Sequence, residues 1–185
     1  MKQKIISLML LLTLFLAVAF PTVSAYMVKQ TEKIENMIEP AQVSCKVNEN
    51  FNGTNKTSVT VTNTSNIEAY IRVRVVSYWQ DSKGNTVAKS SVMPEFTVSD
   101  AWIKDEANDT YYCKEPIAAG TQTPEFLKDG ASIALNRVVE SYQNVDYVYH
   151  QVVEIFAEAI QSKPEEAVEN SWKVTVTDRK ITSVN

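Results

Sequence analysis

Apolar and polar positions alternate along much of the chain. Thr57-Ser-Val-Thr-Val-Thr-Asn63 is rich in β-branched residues and reads as a strand. Thr64-Ser-Asn-Ile67 makes a short connection, and Ala69-Tyr-Ile-Arg-Val-Arg-Val-Val-Ser-Tyr-Trp79 resumes the alternation. Ala69, Ile71, Val73 and Val75 share one face of this run, and Tyr70, Arg72 and Arg74 share the other. That is the signature of an antiparallel strand with one face on a core, and it makes Arg72 and Arg74 solvated outer-face residues. Asp81-Ser-Lys-Gly84 closes a hairpin, with glycine free to take the left-handed position. Trp102-Ile-Lys104, Thr110 to Glu115 and Lys173 to Thr177 read as further strands, with Pro116 to Gly120 as a loop. Short strands at this spacing, separated by turn signals, predict a two-layer β-sandwich.

Two segments resist this reading. Between Tyr147 and Gln161, Val148, Val152, Ile155, Phe156 and Ala159 fit a helical stripe, while the β-branched and aromatic content favours a strand, so periodicity leaves both open. Tyr26 to Pro40 is polar around Lys29 to Lys33 and apolar at Met27, Val28, Ile34, Met37 and Ile38, with no clear place in the sandwich pattern. Pro164-Glu-Glu-Ala-Val-Glu-Asn170 is simpler. Proline followed by acids suits the start of a short helix.

The N-terminus changes the picture most. Lys2 and Lys4 precede an apolar run from Ile5 to Phe20, Pro21 breaks it, and Val23-Ser24-Ala25 follows. A basic end, an apolar segment and small residues form a secretory signal peptide. The run is shorter than the ~20 residues of a spanning helix. Cleavage between Ala25 and Tyr26 is expected, giving a signal peptide at 1–25, an arm or donor strand at 26–40 and a sandwich domain at 41–185. The expected location is extracellular or at the cell surface, with signal peptidase as the export partner and no membrane attachment after processing.

Loss of the two signal-peptide lysines leaves 16 of the 18 basic groups against 22 acidic ones, a formal charge of −6. That charge argues against nucleic acid or anionic lipid as a partner. Cys45 and Cys113 are the only cysteines. In an oxidising exterior they have one intramolecular partner each, so a disulfide is expected, the alternative being two separate thiols. Asn52, Asn55, Asn63 and Asn108 open N-glycosylation patterns, and are read here as ordinary polar turns.

Catalytic signals are sparse. His150 is the single histidine, so no site needing two histidines can form. It sits in an apolar stretch and reads as a partly buried side chain. The sequence has no Gly-x-Ser-x-Gly elbow, phosphate loop or dinucleotide fingerprint. Asp105, Glu106 and Asp109 fit either a calcium loop or an acidic solvated turn. Glu154 and Glu158 are spaced like many solvated faces. Trp79, Trp102, Trp172, Tyr111 and Tyr112 suit core packing, or glycan recognition if exposed. No catalytic residue, cofactor or metal is expected, and the protein reads as a non-enzyme.

Four segments together resemble the TasA/camelysin group of secreted proteins of Gram-positive bacteria, which a SipW-type signal peptidase processes. They are Thr60 to Val75, a strand, turn and Ala-Tyr-Ile-Arg-Val strand; Trp102-Ile-Lys with Thr110-Tyr-Tyr-Cys-Lys-Glu-Pro116; Pro116-Ile-Ala-Ala-Gly-Thr-Gln-Thr-Pro-Glu-Phe-Leu127; and Val153-Glu-Ile-Phe-Ala-Glu-Ala-Ile-Gln161 with Ala167-Val-Glu-Asn-Ser-Trp172. The likeness spans about residues 41 to 178 and the signal peptide. It implies an all-β, jelly-roll-like or immunoglobulin-like sandwich with one short helix near the C-terminus, and makes Val148 to Gln161 a strand. It also implies extracellular fibres of a biofilm matrix, with partners that are other copies or related matrix proteins. Subunits would join through a donated N-terminal strand, anchored here by Ile34 with Met37 or Ile38. Cys45 and Cys113 depart from the family pattern, and two such changes together fit a disulfide. The protease label that some members carry finds no zinc-ligand set in this chain. The reading that follows is a secreted structural protein, with a monomeric surface-binding module for protein or glycan as the alternative and a secreted hydrolase as the third reading.

Overall fold

A computed structural model describes residues 41–185. The cleavage site at Ala25 and Tyr26 and the arm positions Ile34, Met37 and Ile38 lie outside the described residues. The chain forms β1 (Cys45–Phe51), β2 (Asn55–Asn63), β3 (Ala69–Asp81), β4 (Thr86–Val87), β5 (Trp102–Lys104), β6 (Thr110–Cys113), β7 (Ile133–Ala134), β8 (Arg137–Tyr142), β9 (Val145–Gln161), α1 (Glu165–Trp172), β10 (Val174–Thr177) and β11 (Lys180–Val184). It is an all-β, sandwich-like fold. A three-stranded sheet, β1-β2-β7, faces a larger sheet in which β5-β6-β3-β9-β8 run side by side and β4 pairs with the end of β3.

The spine of the larger sheet is the antiparallel pair β3–β9, in unbroken register from Ala69 opposite Gln161 to Asp81 opposite Tyr149. Tyr147 to Gln161 is therefore strand throughout. Its β-branched and aromatic residues gain more from cross-strand packing than its alanines and glutamates lose by leaving a helix. The alternation of β3 holds: Ile71, Val73 and Val75 are buried between the sheets. There they meet Val59 and Val61 of β2, Val153 of β9 and Phe126. Phe126 lies edge-on to Trp102 at 5.3 Å and to Tyr111 at 5.1 Å, close to the T-shaped geometry aromatic quadrupoles prefer. It comes from an irregular strap, residues 116–127, that runs along β2 through backbone bonds from Thr123 to Val61 and from Phe126 to Val59.

The outer face of β3 is not uniformly solvated. Tyr70 and Tyr112 are buried there under Val168 and Trp172 of α1, Val174 of β10 and Ile181 of β11. The C-terminal helix and hairpin thus form a second small core on the back of the sheet. α1 begins after Pro164, with Glu165 and Glu166 in its first turn, where the helix dipole favours acids. It ends at Lys173, whose φ of 56° is the left-handed cap glycine usually occupies.

The expected disulfide is not present: Cys45 and Cys113 are free thiols. Cys45 opens β1 opposite Asn63, and Cys113 closes β6 opposite Trp102. The two residues belong to different layers of the sandwich. Facing sheets stand ~10 Å apart, whereas a disulfide needs Cα atoms within about 7 Å. Both side chains turn into the same core but do not reach each other across it.

Candidate functional site

The outer face of the larger sheet carries a cleft built by cross-strand neighbours. Arg72 and Arg74 of β3, Thr110 and Tyr112 of β6, Phe156 and Glu158 of β9, and Asn108 line a hollow of about 250 Å³. The register creates it, since Arg72 lies between Tyr112 and Glu158, and Arg74 between Thr110 and Phe156. The two arginines, which the sequence pattern treats as equivalent, do different things. Arg72 donates from Nε and Nη2 to Glu158 Oε2 at 2.9 and 2.6 Å. Its guanidinium also stacks 4.8 Å from the Trp172 ring and 5.9 Å from the Tyr112 ring. It therefore clamps the C-terminal cap to the sheet. Arg74 is exposed and enters no ion pair among the described residues. Beside it Phe156 keeps 52% of its surface in water. A guanidinium next to an exposed ring is a shallow recognition feature for an anionic, partly apolar group.

The other residues singled out from the sequence fall into place individually. Trp79, Trp102, Trp172, Tyr111 and Tyr112 are all buried, so none is available as a platform for sugars. His150 is exposed rather than partly buried, because outward-facing positions of β9 at this end have nothing packed over them; it lies opposite Arg137. Asp105 shapes its own turn, accepting from the Ala107 N–H at 2.9 Å and from Asn108 Nδ2 at 2.6 Å. Asp109 lies 3.9 Å from the Lys104 ammonium. No three His, Cys, Asp or Glu side chains converge as a metal site among the described residues. Glu154 accepts from the Tyr78 hydroxyl at 2.8 Å, and Glu158 is held by Arg72, so the two carboxylates serve separate cross-strand contacts.

Neither thiol is activated. Burial pushes Cys113 up to about 11, and burial and the Glu158 carboxylate raise Cys45. Each thus holds its proton more tightly than a reactive cysteine does.

Asn63 is fully buried. Its Nδ2 donates to the carbonyls of Ile67 at 2.9 Å and Ile117 at 2.7 Å, and its Oδ1 accepts from the Ser65 N–H at 3.0 Å. A folded chain cannot carry a glycan on that nitrogen. Asn52 uses Oδ1 to accept from the backbone of Thr54 and Asn55, as expected of a polar turn.

Sequence reasoning missed the β8–β9 hairpin. Its two-residue turn is Gln143-Asn144, both left-handed, with φ of 51° and 59°. A type I′ hairpin is usually announced by Asn-Gly or Asp-Gly, and Gln-Asn hides it. β9 continues past the end of β3 with β8 as its only partner, so that a two-stranded ribbon projects from the sandwich. Val139, Tyr142, Val145 and Tyr147 on it are 45 to 65% exposed. No known protein-family model, curated protein or solved structure matches this chain.

Proposed function

We propose that this protein is a secreted structural protein of the cell exterior, a subunit or accessory of a biofilm-matrix fibre of the TasA/camelysin kind, without enzymatic activity. The observation that carries the reading is where the family-like segments lie. Thr60–Val75 covers the end of β2, the turn and the buried half of β3. Trp102–Lys104 and Thr110–Pro116 contain β5 and β6, Pro116–Leu127 is the strap that supplies Phe126, and Val153–Gln161 with Ala167–Trp172 falls on β9 and α1. Motifs scattered through the sequence thus meet in three dimensions, the strands and strap in the core between the sheets and α1 in the second core behind β3, as a shared fold requires. The signal-peptide-like pattern of residues 1–25 and the net acidic charge of the chain agree with work outside the cell. In this reading residues 26–40, which precede β1 in the sequence, would be the joining segment, with Ile34 and Met37 or Ile38 as its anchors on a neighbouring subunit.

Negative-stain imaging of exported protein tests the reading. Filaments that disappear when residues 26 to 38 are removed, from a domain that stays folded, support it. A permanent monomer refutes it. Sequencing the N-terminus of secreted material should return Tyr26. The alternative, a monomeric binding module, draws on Arg74 and Phe156 in the outer-face cleft. It is favoured if no filament forms and Arg74→Ala abolishes capture of an anionic glycan or acidic peptide.

A further inference from the structure

The projecting hairpin has an open edge with a defined pattern. β8 ends the larger sheet, and among the described residues no strand pairs with its far side. Its sequence, Arg137-Val-Val-Glu-Ser-Tyr142, contains no proline or glycine to blunt such an edge, and of its two charges Glu140 is already paired with Lys89. Half of the large apolar side chains left exposed among the described residues (Val139, Tyr142, Val145 and Tyr147, against Val43, Phe51, Val92 and Phe156 elsewhere) lie on this ribbon. A lone two-stranded ribbon is marginal in water, so this one gains from a partner.

The register says which partner fits. The Gln151 N–H donates to the Asn136 carbonyl, so Asn136 turns its backbone groups toward β9. Alternation then turns Val138, Glu140 and Tyr142 the same way, and points the N–H and C=O of Arg137, Val139 and Ser141 outward. These three residues can pair with the same three in another copy. A two-fold axis perpendicular to the sheet reverses the strand and keeps each face on its own side. Centred on Val139, it sets Val139 against its twin and Arg137 against Ser141 of the second copy. Ser141 hydrogen-bonds Asp146 across its own hairpin, on the same face. Each Arg137 then meets the opposite copy's Asp146 one strand further on, and the two-fold forms two such pairs. Centring the axis on Glu140 would instead oppose two carboxylates.

We propose that two copies of this chain join β8 to β8 as an antiparallel, isologous pair centred on Val139, which merges their larger sheets into one. This contact is independent of the arm proposed for fibre growth.

Val139→Cys tests it on the full chain, with Ser141→Cys as control. The axis brings the two 139 positions within disulfide reach and leaves the two 141 positions four residues out of register. Mild oxidation should give a dimer whose 139–139 peptide appears by mass spectrometry, and no such species from Ser141→Cys. Sedimentation should show Arg137→Asp weakening the dimer roughly tenfold, as expected for two exposed ion pairs, and Arg137→Asp with Asp146→Arg restoring it. A monomer at high protein concentration with no 139–139 link overturns the proposal. Equal cross-linking at 139 and 141 also overturns it, because it signals unspecific association. Filaments without the link would leave the fibre reading standing and remove this contact; the link without filaments would do the reverse.

Discussion

Asn63 offers the sharpest test of how this fold is held. It ends β2 where the chain must turn into β3 while the strap crosses behind. Its side chain joins three pieces of backbone: Ser65 and Ile67 in the turn, and Ile117 in the strap. Its own N–H donates to the Thr121 carbonyl, and its carbonyl accepts from the Gly120 N–H. Asn63→Ala keeps those two backbone bonds but removes the three side-chain bonds; it leaves the Ile67 carbonyl and the Ser65 N–H without partners, while the Ile117 carbonyl keeps the Ala69 N–H. An unsatisfied buried polar group costs about 1–3 kcal/mol. One of the two can recover water through the small cavity the substitution opens, so the net loss should be about 2–4 kcal/mol. For a domain of this size that lowers the midpoint of thermal unfolding by roughly 6–15 °C, measurable by circular dichroism or calorimetry. Asn63→Asp adds a pH arm. Its carboxylate would face two carbonyl oxygens, so ionisation is disfavoured in the folded state and the folded pKa is raised. Stability should then match the neutral form below the unfolded value of about 3.9 and fall as pH rises above it. A loss under about 1 kcal/mol for Asn63→Ala, or an Asn63→Asp penalty that shrinks with rising pH, would show that the turn and strap are not tied through this side chain.

Three further outcomes follow from the packing. Native protein should incorporate iodoacetamide at Cys45 first and at Cys113 only on unfolding, since Cys113 is buried with its thiol pushed up to about 11; a linked peptide without reduction would overturn the separation of the two sheets' cysteines. Arg72→Ala should cost about 1–2 kcal/mol in urea melts by releasing Trp172 and Glu158, and Arg72→Lys should not recover it, because an ammonium cannot stack flat on the ring and donate from two nitrogens at once. Lys173→Gly should stabilise by about 0.5–1 kcal/mol by relieving the left-handed cap, with no change expected in the sheets.

What could be read from sequence was what alternation encodes locally. β2, β3, β5, β6 and β10 stood out because one face of each is apolar, and the Asp81–Gly84 turn because its chemistry is explicit. The second core did not. Tyr70 looked like an outward residue among arginines, and it is buried by Val168, Trp172, Val174 and Ile181, about a hundred residues away. The tail after Asp178 gave no strand signal, because Asp178 and Arg179 make their turn with positive φ and no glycine. The two cysteines looked paired because the chain's destination favours pairing, whereas their separation is set by which sheet each strand joins. Arg72 and Arg74 share one alternation and differ only in what the far end of the chain places above them. The second core, the cysteines and the two arginines are decided by contacts between distant segments, about which alternation carries no information, whereas the β8–β9 and β10–β11 hairpins are hidden by left-handed turn residues that are not glycine.

The same limit bears on the ribbon, where strand lengths can be set against each other. β3 closes its hairpin with β4 at Asp81, and β9 at that level is at Tyr149. A two-residue turn joining β8 to β9 at this level would complete the sandwich. Instead the chain runs on through residues 139–148 and returns, carrying four large apolar side chains into water. None of the buried residues of either core lies in that stretch. Replacing residues 139–148 with Asn-Gly should therefore leave the unfolding midpoint within about 3 °C of the parent, a change of roughly 1 kcal/mol, while abolishing the β8-mediated dimer in sedimentation. If the shortened protein instead loses its cooperative transition, the ribbon is part of the folding unit, and its exposed valines and tyrosines owe their place to stability within one chain rather than to a second copy.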